Sequence, residues 1–229
     1  CGVEIDFAGT AHADKRKMEE LVKSAVSGPS DGILIAQPLP ENLAIEDLAE
    51  YIPPEKDVDC SSAVSRGYLF SGEPVFTPAT AQAVMEIIKY HRIETSGRHV
   101  VIVGRSAIVG KPLAMLLLSR GYPGDATVTV CHSRSRDLNR YTRSADILIS
   151  AAGRAELIDV QDIKKGAVVI DVSINVVESE GARRIIGDVV FSRVREVASM
   201  ITPVPGGVGP VTSAVIMRNT ATSMVQSGR

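Results

Sequence analysis

Apolar residues recur at helical spacing at Met18, Leu21, Val22 and Ala25, which predicts a helix. The run Gly32 to Ala36 that follows reads as a buried strand, ended by Pro38 and Pro40. A second helix is predicted around Asn42 to Tyr51 and is stopped by Pro53 and Pro54. The polar, Gly-containing stretch Lys56 to Gly72 reads as a long loop, of the kind that often carries function. Val84, Ile87, Ile88 and His91 form another helical stripe, after which a Ser96-Gly97 turn leads into the β-rich run His99 to Val103.

From there strands and helices alternate. Strands are predicted at Val100 to Val103, Thr127 to Val130, Ile147 to Ser150, Val168 to Val172 and Met200 to Thr202. Helices are predicted from Pro112 to Ser119 and near Leu138 to Ser144. Such alternation implies a parallel sheet covered by helices, hence an α/β fold. A final helix runs from Val211 to about Gln226, behind the Pro/Gly cluster Pro203 to Pro210, which on its own reads as a linker. With no internal repeat, two α/β lobes joined near residues 80 to 95 are the simplest layout.

Composition narrows the partners. The 229 residues are 45% hydrophobic and 23% charged, as in a globular protein. A formal charge of −2 with no basic block argues against nucleic acid. The longest apolar runs, such as Leu113 to Leu118, fall far short of the roughly 18 residues a membrane span needs, so no membrane partner is expected. Cys1, Cys60 and Cys131 are odd in number and lack ligand spacing, as do His12, His91, His99 and His132. Neither a disulfide framework nor a metal site follows, and a reducing, cytoplasmic setting fits. The start at Cys1 leaves any upstream targeting segment open.

The chemistry concentrates in Val100-Val-Ile-Val-Gly104-Arg105-Ser106-Ala-Ile108-Val109-Gly110-Lys-Pro112, a strand, a Gly-bounded turn and a helix start. Glycines at 104 and 110 permit a tight turn close to a ligand, and a helix amino end offers N–H groups and positive potential to a phosphate. The usual G-x-G-x-x-G is not met, because Ser106 stands at the second Gly, so either a Rossmann-like cofactor loop or an ordinary strand-to-helix turn fits. The next strand ends Val130-Cys-His-Ser133-Arg134-Ser-Arg136 without the carboxylate that NAD sites commonly place there. Arg105, Arg134 or Arg136 with the Ser133 hydroxyl could meet a 2′-phosphate, which favours NADP over NAD; a solvated basic loop is the plainer reading.

Four strings carry a resemblance: Gly32-Ile-Leu-Ile-Ala-Gln-Pro-Leu-Pro40, Lys56-Asp-Val-Asp59, the Gly104 to Pro112 loop, and Thr202-Pro-Val-Pro-Gly-Gly-Val-Gly-Pro210. Across nearly its whole length the chain resembles the bifunctional methylenetetrahydrofolate dehydrogenase/methenyltetrahydrofolate cyclohydrolase family. The resemblance implies a folate-binding lobe at residues 1–85, a Rossmann-like NAD(P)-binding domain at 86–205, and a C-terminal segment, 206–229, that returns to the first lobe. It also implies a homodimer, an active cleft between the lobes, oxidation of 5,10-methylenetetrahydrofolate by NADP+, and hydrolysis of the methenyl product to 10-formyltetrahydrofolate. By matching position, Asp59 would hold the pterin ring, and Pro205, Gly206, Gly207 and Val208 would line the folate and nicotinamide pockets. Thr80, Ala152, Gly153, Ile174 and Thr212 would join Gly104, Arg105, Ser106, Ile108, Val109, Gly110, Ser133 and Arg134 around the cofactor. Asp59 and Gln37 are the candidates for catalysis.

Four departures from the family's pattern bear on activity. The family's N-terminal Tyr and Lys, four residues apart and central to the cyclohydrolase, have no counterpart here; the chain is expected to begin just after that helix, and Lys15 and Lys17 read as surface charges. Ala36 stands where the family has Gln and Gln37 follows it, on the opposite face of an unbulged strand. Cys60 replaces a Gly after Asp59, and Ser173, before Ile174-Asn175, replaces another. Two readings follow: an active dehydrogenase, or a diverged relative that binds NADP or folate for a regulatory role.

Overall fold

The computed structural model describes residues 3–9, 14–37, 39–179 and 182–228; Cys1, His12 and Pro38 lie outside them. The chain forms two compact units, one of Cys1–Ala79 with Ser213–Arg229, the other of Thr80–Thr212.

In the first unit, α1 (Lys15–Ser27) starts at Asp14, whose carboxylate accepts the Arg16 N–H. Its Val22 packs with Ile33, Ile35, Leu48, Ala49 and Ile52, and Met18 and Ala25 complete the apolar face that the sequence pattern anticipates. The strand expected over Gly32 to Ala36 does not form a ladder. Burial alternates there, with Ile33 and Ile35 inside and Leu34 and Ala36 exposed, but the only pairing among the described residues is a parallel bridge from Ile33 to Asp57. A period-two pattern thus gives an extended segment without a partner strand to make it a sheet.

Helix α2 is confined to Ile45–Ala49, shorter than expected because a Pro40 to Leu43 turn precedes it. The supposed loop Lys56 to Gly72 contains α3 (Ala63–Ser71). Ser62 caps this helix by accepting the Ser65 N–H, and Gly72 closes it in the left-handed conformation. Gly67 within α3 disguised it. Lys56 reaches the carbonyls of Val26 and Gly28 at 2.9 and 3.4 Å, so its ammonium serves the carboxyl end of α1.

The helix α4 (Ala79–Tyr90) leads into the second unit. There β1 (His99–Val103), α5 (Gly110–Leu118), β2 (Thr127–Cys131), α6 (Leu138–Thr142), β3 (Ile147–Ser150), β4 (Val168–Asp171) and β7 (Met200–Ile201) follow the predicted alternation. The five strands are all parallel, in the order β2-β1-β3-β4-β7. Val101, Val103, Leu148 and Val169 pack with Ile158, Val189 and Val194 on one face, while the alternate residues Val100, Ile102, Ile149 and Ile170 are equally buried. Both faces are therefore covered, which is why these strands read as continuous apolar runs.

The pattern did not reveal a two-stranded antiparallel ribbon of β5 (Asn175–Ser179) and β6 (Ala182–Ile186), or the short α7 (Phe191–Val194). Val176 and Ile185 pair across the ribbon yet stay exposed, and Arg183, Arg184 and Glu178 obscure any simple alternation. Helix α8 (Val208–Gln226) begins three residues earlier than predicted and ends in the first unit, where Asn219 donates to the Val58 carbonyl at 2.9 Å. Among the described residues no helix is long and apolar enough to cross a membrane.

Candidate active site

The strand order places the chain's reversal between β1 and β3: β2 lies on one side of β1, and β3, β4 and β7 on the other. Open parallel sheets bind ligands beyond the carboxyl ends of their strands at such a point. The loops that leave β1 and β3 there are pressed together. A Cβ on Gly104, which has φ +135, would lie 2.2 Å from the Ala151 carbonyl oxygen, and one on Gly110 would lie 2.2 Å from the Gly104 oxygen. Strand, turn and helix start are thus in backbone contact, a packing only glycine permits.

Ser106 explains how the loop works without a second glycine. Its hydroxyl accepts the Val109 N–H at 3.1 Å and lies 3.5 Å from the Gly110 nitrogen, while its carbonyl accepts the Lys111 N–H. The first N–H groups of α5 are therefore already capped, contrary to the expectation that the helix end itself is free. The N–H groups of Arg105, Ser106, Ala107 and Ile108 have no protein acceptor among the described residues. They, with the glycine cradle, form a nest suited to a phosphate.

After β2 the chain turns tightly: the Ser135 hydroxyl accepts the His132 N–H, and His132 Nδ1 accepts the Arg134 N–H. Ser133, Arg134 and Arg136 are exposed on this turn, and neither Arg134 nor Arg105 makes an ion pair with a described residue. No carboxylate stands there. The fit is to a dinucleotide that carries a 2′-phosphate.

Ala152 and Gly153, at the end of β3, are exposed, but their N–H groups are held from below by Asp188 and the Ser173 hydroxyl, at 2.7 and 3.0 Å. Ser173 is buried and points into the protein, so it does not crowd the edge, while Ile174 is exposed. Pro205 and Gly206 are exposed, Gly207 is half-buried with its backbone against the Pro203 oxygen, and Val208 is buried. Thr80 and Thr212 are half-buried; the Thr212 hydroxyl donates to the Val208 carbonyl within α8. The sequence reading missed Asp171 and Asp188, both buried at the ends of apolar runs. An acid inside such a run is itself a signal of a dedicated set of donors.

In the first unit the two acids of Lys56-Asp-Val-Asp59 have separate tasks. Asp57 is fully buried and accepts the Ser61 and Ser62 N–H groups at 2.8 and 2.9 Å, which sets the turn into α3. Asp59 is half-buried: one oxygen accepts the Ala79 N–H at 2.9 Å, and the other has no partner among the described residues. Burial pushes the Asp59 carboxyl up from its ordinary value, the Ala79 N–H opposes this, and the charge of Asp57 adds to it. A site that supplied further N–H donors would relieve that cost.

Cys60 occupies the left-handed region at φ 53, a conformation that favours glycine. Its buried thiol is pushed up to about 12 by desolvation and by Asp57, which leaves it protonated and not a nucleophile. Gln37 is exposed. Among the described residues no group of three or more His, Cys, Asp or Glu is arranged to hold a metal.

Comparison with known proteins agrees with these features. The tetrahydrofolate dehydrogenase/cyclohydrolase NAD(P)-binding domain matches residues 78–227. The bifunctional protein FolD of Nocardia farcinica is 48% identical over 94% of this chain and 73% of its own length. The crystal structure of the Trypanosoma brucei N5,N10-methylenetetrahydrofolate dehydrogenase-cyclohydrolase, complexed with NADP cofactor and inhibitor, superposes with a TM-score of 0.89 at 39% identity. It covers 96% of this chain and 75% of that one. The bifunctional enzyme from Campylobacter jejuni gives 0.86 at 40% identity, over 93% of this chain and 74% of that one. With the match over more than half its residues and relatives this similar, the chain belongs to the tetrahydrofolate dehydrogenase/cyclohydrolase family.

Proposed function

We propose that the chain oxidises 5,10-methylenetetrahydrofolate to the methenyl form with NADP+, and that hydrolysis to 10-formyltetrahydrofolate is the companion activity. The observation that carries this reading is the edge at the β1/β3 reversal, where the N–H groups at 105–108, unpartnered among the described residues, follow the Gly104–Ala151 contact, and where Arg134 is exposed on the carboxylate-free turn after the neighbouring strand β2. When bound, NADP+ supplies the hydride acceptor.

The remaining work falls to this chain's residues. The 105–108 N–H groups would hold the pyrophosphate, and Ser133 with Arg134 and Arg105 the 2′-phosphate. The loops Ala152-Gly153 and Ser173-Ile174 would support the rest of the cofactor, with Thr80 and Thr212 as hydroxyl contacts. In the first unit, the free oxygen of Asp59 would accept the pterin N–H donors, and in the second the Pro205 to Val208 segment would line the ring pockets. Gln37, exposed next to the Ile33–Ile35 segment, is the candidate for positioning a water or a proton. The free Cys60 and Cys131 thiols support a reducing, cytoplasmic setting, and the family's habit supports a homodimer, which sedimentation would show as twice the 24.4 kDa chain mass. The test of function is NADP+ reduction dependent on added methylenetetrahydrofolate. Binding of NADP+ without reduction would favour the regulatory relative instead.

A further inference from the structure

Asp188 lies behind the candidate cofactor edge and is fully buried. Its carboxylate gathers donors from two segments. Oδ2 accepts the Ser150 hydroxyl at 2.8 Å, the Ala152 N–H at 2.7 Å and the Ser173 hydroxyl at 2.7 Å. Oδ1 accepts the Arg154 N–H at 2.7 Å and the Asn175 amide at 3.1 Å. None of these donors is a cation. A buried carboxylate without a counterion is tolerable only if its lone pairs are filled, and here neutral dipoles fill them.

The donors are not scattered. Ser150, Ala152 and Arg154 belong to the end of β3 and the loop after it, and Ser173 and Asn175 to the turn after β4 and the first residue of β5. Ser173 links the two a second time, because its hydroxyl also accepts the Gly153 N–H at 3.0 Å. Asp188 is itself located by its neighbour: the Asp171 carboxylate accepts the N–H groups of Ser173, Asp188 and Val189, and the Asp171 N–H donates to the Thr202 hydroxyl. The loop held in this way is the one whose Ala151 carbonyl abuts Gly104.

We propose that Asp188 is a positioning residue for the dinucleotide: by collecting these donors, with Ser173 as its relay, it fixes the Ala151–Arg154 loop against Gly104 and so sets the shape of the edge that receives NADP+. The inference rests on the reading of that edge as the NADP+ site. Asp188 touches no ligand atom in this scheme and acts only through the loop.

The test measures NADP+ affinity by titration calorimetry, and steady-state constants, on the full chain and on two variants, Ser173→Ala and Asp188→Asn, with circular dichroism to confirm folding. Ser173→Ala removes the relay, and Asp188→Asn puts an amide N–H where an oxygen must accept. Expected are a weakening of NADP+ binding by about tenfold or more for Asp188→Asn and by about threefold to tenfold for Ser173→Ala, the size of a lost buried hydrogen bond. The KM for NADP+ should rise while that for methylenetetrahydrofolate stays within about twofold, a split that general destabilisation would not produce. If Asp188→Asn does not fold, Ser173→Ala decides. Folded variants that bind NADP+ within about twofold of wild type, or that raise both KM values together, overturn the role of Asp188. A wild-type chain that does not bind NADP+ at all overturns the reading of the edge, and this inference with it.

Discussion

Three glycines separate the two causes that make the cofactor edge intolerant of side chains. Gly153, at φ +64, faces open space, so Gly153→Ala meets only the left-handed backbone penalty, about 1–2 kcal/mol. Gly110 has no positive φ, but an added Cβ would lie 2.2 Å from the Gly104 oxygen and 2.7 Å from its carbon. Gly110→Ala should therefore show overpacking alone, about 1–3 kcal/mol.

Gly104 combines both. Its φ of +135 disfavours any L side chain, and its Cβ would lie 2.2 Å from the Ala151 oxygen and 2.8 Å from the carbonyl carbon. To reach ordinary contact that carbonyl must retreat by about 1 Å, and cores resist such movement. Ala151 cannot yield freely, because its N–H donates to the Val103 carbonyl at 2.8 Å. Gly104→Ala should thus cost about 2–6 kcal/mol, the sum of strain and overpacking, and abolish measurable NADP+ binding. Urea unfolding followed by circular dichroism gives the ranking, with midpoints compared at equal slopes. If Gly104→Ala is within about 0.5 kcal/mol of Gly153→Ala, the close approach does not matter and the reasoning is refuted.

Other consequences can be read from single groups. Burial, with the charge of Asp188, raises Asp171 from 3.8 to about 6, so the folded chain holds that proton more tightly than the unfolded one and stability falls as pH rises from about 4 to about 6. Asp171→Asn should gain on wild type by up to about 3 kcal/mol across that range, followed by thermal unfolding; a pH-independent difference would refute it. Arg134→Ala should weaken NADP+ by about 10- to 100-fold and leave NAD+ nearly unchanged, as expected for one charge-assisted bond to the 2′-phosphate; equal losses for both cofactors would place Arg134 elsewhere. Asp59→Ala should lower kcat/KM for methylenetetrahydrofolate by about 30-fold or more. Because the raised Asp59 carboxyl must be ionised to accept N–H donors, wild-type kcat/KM should fall on its acid side with a midpoint above the ordinary carboxylate value, and the variant should lack that limb.

The sheet was legible because buried parallel strands write themselves as apolar runs: Ile147–Ser150 falls where the pattern put it, and β1, β2 and β4 agree to within a residue. The ribbon of β5 and β6 was not, since its register pairs Glu178 with Arg183 and Val177 with Arg184 and leaves Val176 exposed, so no face is consistently apolar. Helix α3 escaped because Gly67 interrupts it and because its start is set by polar contacts, the Ser62 cap and the Asp57 carboxylate that holds Ser61 and Ser62, which an apolar periodicity does not register. At the candidate site, Gly104, Gly110 and the absent carboxylate after β2 could be read directly. That Lys56 serves the end of α1 and that Asp188 holds the β3 loop depend on contacts across 30 and 38 positions, which local spacing does not encode, whereas the Ser106 cap of α5, three residues from Val109, is a local signal that the glycine motif overshadowed.

The most direct measurement is the formation of NADPH by the purified chain with NADP+ and methylenetetrahydrofolate, beside Gly104→Ala and Asp59→Ala. Reduction that requires both substrates and is lost in either variant is the expected result. A folded wild-type chain that binds NADP+ but forms no NADPH would contradict a dehydrogenase, whatever its family.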